Sequence, residues 1–296
     1  MQNFGLITPV LTMLPRSHAQ WERTAGIEEV RQIAALADSL GVHHITCSEH
    51  VAIPDYIAAI RGARYWDPLA TFGYLAAHTT TLQFATHVLV LGYHHPLEIA
   101  KRYGTLDQVS GGRVILGVGV GSLREEFQLL NANFTDRGAL ADDALKALRA
   151  ALGVAVPQYK GSHYAFNDMV IDPVAARRDL PIWIGGRTAR SLRRASELGD
   201  GWAPFGLTTE AVAAMLTRTQ HSDTGQQRSA PLEVWLQPEV PVDPLGAPEA
   251  CATTLRQLFS AGATGVNLRF VHHSLAHYLE QLEALAQFSP QLASLD

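Results

Sequence analysis

The residues best suited to chemistry are Glu49 and His50, which follow Ser48 directly after the short apolar segment His44 to Cys47. A carboxylate next to an imidazole can bind a ligand or exchange protons with it. The alternative interpretation is a surface glutamate beside a loop histidine. His87 lies inside another apolar run, where a histidine is more often a core residue with satisfied hydrogen bonds than a catalyst.

Glycines make a second feature, because Gly117, Gly119 and Gly121 alternate at the end of an apolar run. Without a Cβ atom, glycine lets a flat ligand approach the backbone closely. The dinucleotide fingerprint G-x-G-x-x-G fails in both frames, since its third glycine would fall on Ser122 or Arg124. The glycines therefore indicate a ligand near the backbone without identifying it.

A third feature is the pair Gly185 and Gly186, which stands between a strand-like run and a predicted helix and is followed by Arg187. Backbone N–H groups at a helix N-terminus bind phosphate well, and an arginine adds positive charge. The simpler interpretation is a plain tight turn.

The elements that must position these residues follow a regular alternation. Eight short apolar runs predict strands at Phe4–Thr8, His44–Cys47, Leu82–Leu91, Val114–Val118, Ile182–Ile184, Gly201–Pro204, Leu232–Pro238 and Gly265–Phe270. Helical patterns are predicted at Glu28–Leu40, Pro96–Val109, Ala139–Leu152, Ala189–Leu198, Thr209–Thr219, Pro248–Ala261 and Leu275–Phe288. Eight βα units predict a (β/α)8 TIM barrel, whereas a doubly wound sheet would leave two strands unplaced.

One barrel domain is expected to span residues 1–296, with insertion loops at the C-terminal face, where TIM barrels carry their sites. The segment Pro54–Tyr65 is predicted to be a long connection. Residues 153–180 suggest a strand pair or an insertion loop. The polar segment Gln220–Pro231 is predicted to be an exposed loop.

Composition excludes several classes of function. The net charge of −5 comes without a basic block, which argues against a nucleic-acid partner. Two distant cysteines, Cys47 and Cys251, form neither a disulfide framework nor a metal-ligand cluster. A reducing cytoplasmic location, no membrane span, no signal peptide and no bound metal are therefore expected.

Three segments carry a resemblance to a known family. They are SEH at residues 48–50, ATHVLVLGYHHPLEIAKRYGTLDQVSGGRVILGVGVG at 85–121 and PIWIGGRTARSLRRASELGDGW at 181–202. Their order and spacing resemble the bacterial luciferase-like superfamily, most closely its short F420-dependent oxidoreductases. The resemblance extends from about Phe4 to Trp202. It implies a TIM barrel that uses the deazaflavin coenzyme F420 or, alternatively, FMN.

The resemblance implies roles for individual residues. Glu49 and His50 match an Asp-His pair that lies by the reactive face of the deazaflavin, so both are expected to be catalytic. His87 and Val88 match a non-proline cis peptide that bulges beneath the ring.

The resemblance also implies residues that bind the rest of the cofactor. Gly119 and Gly121 match glycines near it, and the phosphate-binding segment corresponds to Ile184, Gly185, Gly186 and Arg187.

Two further positions qualify this comparison. Glu126 and Arg137 match a frequent acidic and basic pair, for which an ion pair is expected. Ser122 stands where some sugar-phosphate-oxidising members carry an acid, which argues against that activity.

Three functions follow as hypotheses. The first is an F420-dependent oxidoreductase that transfers a hydride to or from a small organic substrate. The second is an FMN-dependent monooxygenase that uses O2 and needs a flavin reductase as partner. The third is a cofactor-binding protein without catalysis. The resemblance also implies a homodimer.

Overall fold

The computed structural model describes residues 3–15, 18–220 and 230–292. The predicted loop Gln220–Pro231 lies almost entirely outside them. Within the described residues, no helix is long and apolar enough to cross a membrane.

Eight parallel strands close into a barrel, as predicted. In chain order the strands are β1 (Phe4–Leu6), β2 (His44–Cys47), β3 (Gln83–Thr86), β4 (Leu89–Val90), β5 (Val114–Gly119), β6 (Tyr159–Lys160), β7 (Ala165–Phe166), β8 (Ile182–Gly185), β9 (Gly201–Ala203), β10 (Glu233–Leu236) and β11 (Gly265–Leu268). The order around the ring is β3-β2-β1-β11-β10-β9-β8-β5, and pairing of β3 with β5 closes it. The short β4 continues β3 along β5, while β6 and β7 form a separate antiparallel pair.

Helices surround the barrel and cover the outer faces of its strands. They are α1 (Ile27–Ser39), α2 (Asp55–Arg61), α3 (Pro68–Ala76), α4 (Pro96–Ser110), α5 (Arg124–Leu129), α6 (Arg137–Ala151), α7 (Ala189–Leu198), α8 (Thr209–Gln220), α9 (Pro248–Ser260) and α10 (Leu275–Leu292). The seven helices that the sequence predicts are all present. The connection Pro54–Tyr65 is not a loop throughout, because it contains α2. The structure also adds α3, which the sequence pattern did not indicate.

The strands are apolar because both of their faces are covered, which is typical of parallel sheets. All six residues of β5 are buried. A small group of buried side chains separate from the main core comprises Ala85, Ile115, Trp183, Ala203 and Trp235. At the amino-terminal end of the barrel, His43 and His44 pack against the two tryptophans, with ring centroids 4.7–6.1 Å apart.

The third barrel strand contains a bulge at its carboxyl end. Ala85 pairs with Ile115 and Leu89 with Val118, so the strand advances four residues while its partner advances three. One extra residue against a regular partner defines a β-bulge, a device that re-aims the chain next to ligand sites. The peptide bond between His87 and Val88 is cis, which confirms the expectation for this position. We call residues 86–88 the Val88 bulge.

Candidate active site

A cavity of about 550 Å³ opens at the carboxyl ends of the barrel strands. This is the end at which TIM barrels bind their ligands, and the volume falls in the range of small-molecule sites. Most of its exposed lining is apolar. Eight of the ten predicted site residues line it: Glu49, His50, His87, Val88, Gly119, Gly121, Gly185 and Gly186.

The other two predicted residues are placed differently. Ile184 is buried with its side chain towards Gly199, and it is not among the residues that line the cavity. Arg187 is exposed. Its guanidinium lies 5.7 Å from the ring centroid of Phe205, which lines the cavity.

The Val88 bulge fits against two glycines of neighbouring strands. A Cβ atom on Gly119 would lie 2.7 Å from Val88 Cγ2, and one on Gly185 would lie 2.7 Å from Val88 Cγ1. Both distances are far below van der Waals contact, and the branched valine side chain is stiff. The two glycines therefore make room for the bulge, a reason for their presence that is separate from ligand approach.

Ser48 and Glu49 hold the bulge from the neighbouring strand. The Ser48 hydroxyl donates to the main-chain oxygen of His87 (2.8 Å). The main-chain N–H of Val90 donates to Glu49 Oε2 (2.7 Å). The residues that follow β2 thus hold the backbone on both sides of Val88.

The second oxygen of Glu49 is also occupied. His94 Nε2 lies 2.6 Å from Glu49 Oε1, and His94 Nδ1 lies 3.7 Å from Glu98. Burial alone would lower the pKa of His94. The hydrogen bond and charge of Glu49, with the charge of Glu98, outweigh burial and raise it. Glu49 is therefore an anchored carboxylate, paired with a histidine that its charge keeps protonated to higher pH.

His50 is oriented by a buried carboxylate from α5. Its Nδ1 lies 2.7 Å from Glu126 Oε2, and the glutamate side chain is fully buried. Glu126 also accepts the Tyr93 hydroxyl (2.7 Å) and the main-chain N–H groups of Val51 and Ala52. Burial would raise the pKa of Glu126, but these donors together lower it, so the group is ionised at neutral pH.

The ionised Glu126 fixes the tautomer of His50. A carboxylate only accepts hydrogen bonds, so neutral His50 carries its proton on Nδ1. Its Nε2 then has a free lone pair, which can accept a proton from a ligand. This arrangement of carboxylate and imidazole is the one that holds a histidine ready for acid-base catalysis.

The expected ion pair between Glu126 and Arg137 is not formed. Arg137 instead donates to the main-chain oxygens of Gly121 and Phe134, and its guanidinium stacks 3.9 Å from the Phe134 ring centroid. The imidazole of His50 and the N–H groups already bind the buried Glu126 carboxylate, in place of a guanidinium.

His87 is part of the Val88 bulge and lines the cavity, and its main-chain N–H donates to the main-chain oxygen of Cys47. Burial lowers the pKa of His87 to about 4, so its imidazole is neutral at physiological pH. Among the described residues, no group of three His, Cys, Asp or Glu side chains could hold a metal ion.

Comparison with known proteins gives the family. The model of the luciferase-like monooxygenase family matches residues 8–291. A luciferase-like monooxygenase of Escherichia coli is 26% identical over 198 residues, which cover 64% of this chain and 51% of that protein. An uncharacterized protein of Mycobacterium tuberculosis is 29% identical over 160 residues, covering 54% of this chain and 55% of the relative. The alignments thus span only about half the length of these relatives.

Solved structures agree in fold. Monooxygenase RslO1 from Streptomyces bottropensis superposes with a TM-score of 0.76 at 19% identity, covering 96% of this chain and 98% of that one. The coenzyme F420-dependent tetrahydromethanopterin reductase from Methanopyrus kandleri gives a TM-score of 0.72 at 13% identity and covers 96% and 97% of the two chains. Because the family model covers almost the whole barrel and the site lies at its carboxyl end, this chain belongs to the luciferase-like monooxygenase family.

Proposed function

We propose that this protein is a coenzyme F420-dependent oxidoreductase that transfers a hydride between the deazaflavin and a small organic substrate. The observation that carries the proposal is the Val88 bulge at the floor of the cavity, packed against Gly119 and Gly185. The resemblance places such a bulge beneath the ring of F420. A solved F420-dependent secondary alcohol dehydrogenase with this fold, at 14% identity and a TM-score of 0.73, contains an F420-acetone adduct.

The residues present suit a flat, phosphate-bearing cofactor. The cavity has room for a ring system over the bulge. Gly185 and Gly186 line it just before α7, whose N-terminus attracts anions. We propose that Gly119 and Gly121 approach the cofactor as well, and that Arg187 and the main chain of Ile184 help to bind its phosphate. When bound, the deazaflavin supplies the carbon that donates or accepts the hydride.

The protein's own residues would handle the proton. His50 lines the cavity, and its Nε2, the ring nitrogen that is not bound to Glu126, would give a proton to the substrate or take one from it. Glu49 was predicted to be catalytic together with His50. Both of its oxygens are bound by neighbouring groups, so we propose that it is a positioning residue that holds the Val88 bulge.

The second candidate is an FMN-dependent monooxygenase that uses O2 and receives reduced flavin from a reductase. The same glycine pair would bind the FMN phosphate, so it does not separate the two. A type II Baeyer-Villiger monooxygenase component from Pseudomonas putida, solved with FMN, shares the fold at 16% identity and a TM-score of 0.70.

Binding titrations with oxidised F420 and with FMN, followed by ligand fluorescence, separate these candidates. We expect micromolar or tighter binding of F420 and much weaker binding of FMN. The reverse preference would replace the proposal with the monooxygenase. If neither cofactor binds, the chain is not a flavin or deazaflavin enzyme in this form.

A further inference from the structure

The charged side chains that line the cavity are paired, with one exception. Glu49 is bound by Val90 and His94, and His50 is bound by Glu126. Glu22 accepts the main-chain N–H groups of two loop residues at 2.7–2.8 Å and lies 3.6 Å from His272. The exception is Arg269.

Arg269 follows β11, the eighth strand of the barrel, and lines the cavity. Its guanidinium makes one long hydrogen bond, to the main-chain oxygen of Glu239 at 3.4 Å. Among the described residues no carboxylate lies within ion-pair distance of it. A guanidinium has five N–H donors and cannot lose its charge at physiological pH, so a half-buried one normally has an anionic partner.

A second unpartnered donor lies on the same side of the cavity. Tyr278 lines the cavity from α10, is only 1% exposed, and its hydroxyl has no hydrogen-bond partner. Its ring packs 5.3 Å from that of Phe270, the residue next to Arg269. A buried hydroxyl without a partner is unfavourable, and a hydrogen bond to a ligand oxygen would relieve that cost.

The position of Arg269 separates it from the proposed cofactor phosphate site. Gly185 and Gly186 follow β8, and two further strands, β9 and β10, stand between β8 and β11 in the ring. By contrast, β1 alone separates β11 from β2, which carries Glu49 and His50 at its end. Arg269 therefore lies nearer to the proposed proton-transfer group than to the phosphate turn, counted around the barrel.

We infer that Arg269, with the Tyr278 hydroxyl, forms an anion-binding subsite for a carboxylate group on the substrate. This inference deepens the proposed function by adding a substrate class, and it rests on that function for the reaction itself. The planar fork of a guanidinium matches a carboxylate in a bidentate manner. Glu22 also lines the cavity, and its two oxygens accept backbone N–H groups rather than the Arg269 guanidinium.

The test uses two pairs of neutral and charged ligands of matched shape: benzoate with benzamide, and hexanoate with hexanamide. Calorimetric titrations of the purified protein, without cofactor and with F420 added, measure binding. We expect each carboxylate to bind at least tenfold more tightly than its amide. We also expect Arg269→Gln to remove this preference while leaving amide binding within twofold.

Three variants complete the design. Arg256→Gln removes an exposed arginine of α9 that does not line the cavity and should keep the preference. Arg269→Lys keeps the charge and is the second variant in case Arg269→Gln fails to fold. It should retain only part of the preference because the bidentate fork is lost. Tyr278→Phe should weaken carboxylate binding severalfold without lowering Tm.

Several results would overturn the inference. One is equal binding of carboxylates and amides by the unchanged protein, and another is a preference that survives Arg269→Gln. A tenfold loss of F420 affinity in Arg269→Gln would assign the arginine to the cofactor instead. Because the carboxylate titrations do not depend on F420, failure of the cofactor proposal would appear separately in the F420 and FMN titrations.

Discussion

At the scale of single residues, the tautomer of His50 depends on an acid that is distant in the sequence. Glu126 lies 76 positions away and reaches the imidazole from α5. Its two oxygens have different partners, with main-chain N–H groups on Oε1 and with His50 and Tyr93 on Oε2. This asymmetry means that replacing the carboxylate by an amide has a defined chemical consequence.

In Glu126→Gln, the amide oxygen would keep the main-chain donors, and the amide NH2 would turn towards His50. The NH2 group can only donate, so neutral His50 would move its proton to Nε2 and lose the lone pair needed there. We expect turnover to fall about 10- to 100-fold, while cofactor affinity changes less than threefold. Steady-state kinetics and the 15N shifts of the imidazole nitrogens measure both effects.

Glu125→Gln is the matched control, because Glu125 is the neighbouring acid and bonds only to the exposed Tyr56 among the side chains around it. It should leave turnover and the tautomer unchanged. Turnover that stays normal in Glu126→Gln, or that falls equally in both variants, would remove the special role of Glu126.

Sequence reasoning identified His50, the residue that we propose transfers the proton, but missed its partner. Glu49, His50 and His87 could be found because each sits in or just after an apolar run that predicts a strand. Glu126 begins a helix, where an acid is explained well enough by the helix dipole. Only tertiary contact brings it to His50, so no local pattern distinguished it from Glu125.

At the scale of elements, the end of one strand supports the next. Ser48 and Glu49, which follow β2, hold the Val88 bulge that follows β3. In Glu49→Ala, the Val90 N–H and His94 lose an almost fully buried charged partner. We expect the free energy of unfolding to fall by about 1.5–3 kcal/mol, measured by urea denaturation.

The pH dependence of this loss has a definite sign. The pKa of His94 is raised in the folded protein, so its pairing with Glu49 stabilises the fold below the unfolded-state pKa. That contribution is lost as pH rises through the raised folded-state pKa. The effect of Glu49→Ala should therefore be larger at pH 6 than at pH 9.

Glu98→Ala is the control, because it removes the more distant and exposed acid. It should cost at most about 0.5 kcal/mol of unfolding free energy. Equal losses in both variants would contradict the positioning role.

The eight barrel strands could be predicted because strands buried on both faces are continuous apolar runs. The short helix α2 could not, because none of its residues is buried and it therefore has no apolar stripe. It is held by tertiary contacts instead, such as the hydrogen bond from Arg61 to Ser122 at 3.1 Å. The Val88 bulge came from family resemblance, since apolar periodicity does not show an extra residue in a strand.

At the scale of the whole molecule, stability depends on histidines that stay neutral. Burial lowers the pKa of His43 to about 4. It also lowers the pKa of His44 well below the usual value, and the neighbouring charge on His43 would lower it further. Uncharged side chains pack around them, among them Gln83, Trp183 and Trp235. Asn267 works against the lowering of the His44 pKa, and a charge on His87 would add to it.

From these shifts we expect stability to fall as pH decreases from about 6.5 to 4. In that window the unfolded chain binds protons that the folded protein does not, so the free energy of unfolding rises with pH. The slope is at most about 1.4 kcal/mol per pH unit for each such histidine. His94 works in the opposite direction, but it is one group against four, because burial also lowers the pKa of His87 and His272 to about 4.

Urea denaturation at several pH values measures this slope. His43→Gln should make it shallower, because one of the groups no longer titrates. His78→Gln replaces an exposed histidine and should leave the slope unchanged. A curve that is flat between pH 4 and 6.5 would show that these two histidines accept protons without unfolding.

The contact between Val88 and Gly119 also restricts the order in which this site can change by mutation. Gly119→Ala alone places a methyl group 2.7 Å from Val88 Cγ2 and should destabilise the protein by about 1–3 kcal/mol. In a Val88→Ala background the same change should be nearly neutral, giving a coupling energy of about 1 kcal/mol or more in a double-mutant cycle. Additive effects would show that the strands move apart freely. Because of this epistasis, the side chain at position 88 has to become smaller before position 119 can gain one. The two substitutions are therefore accessible to evolution in one order only.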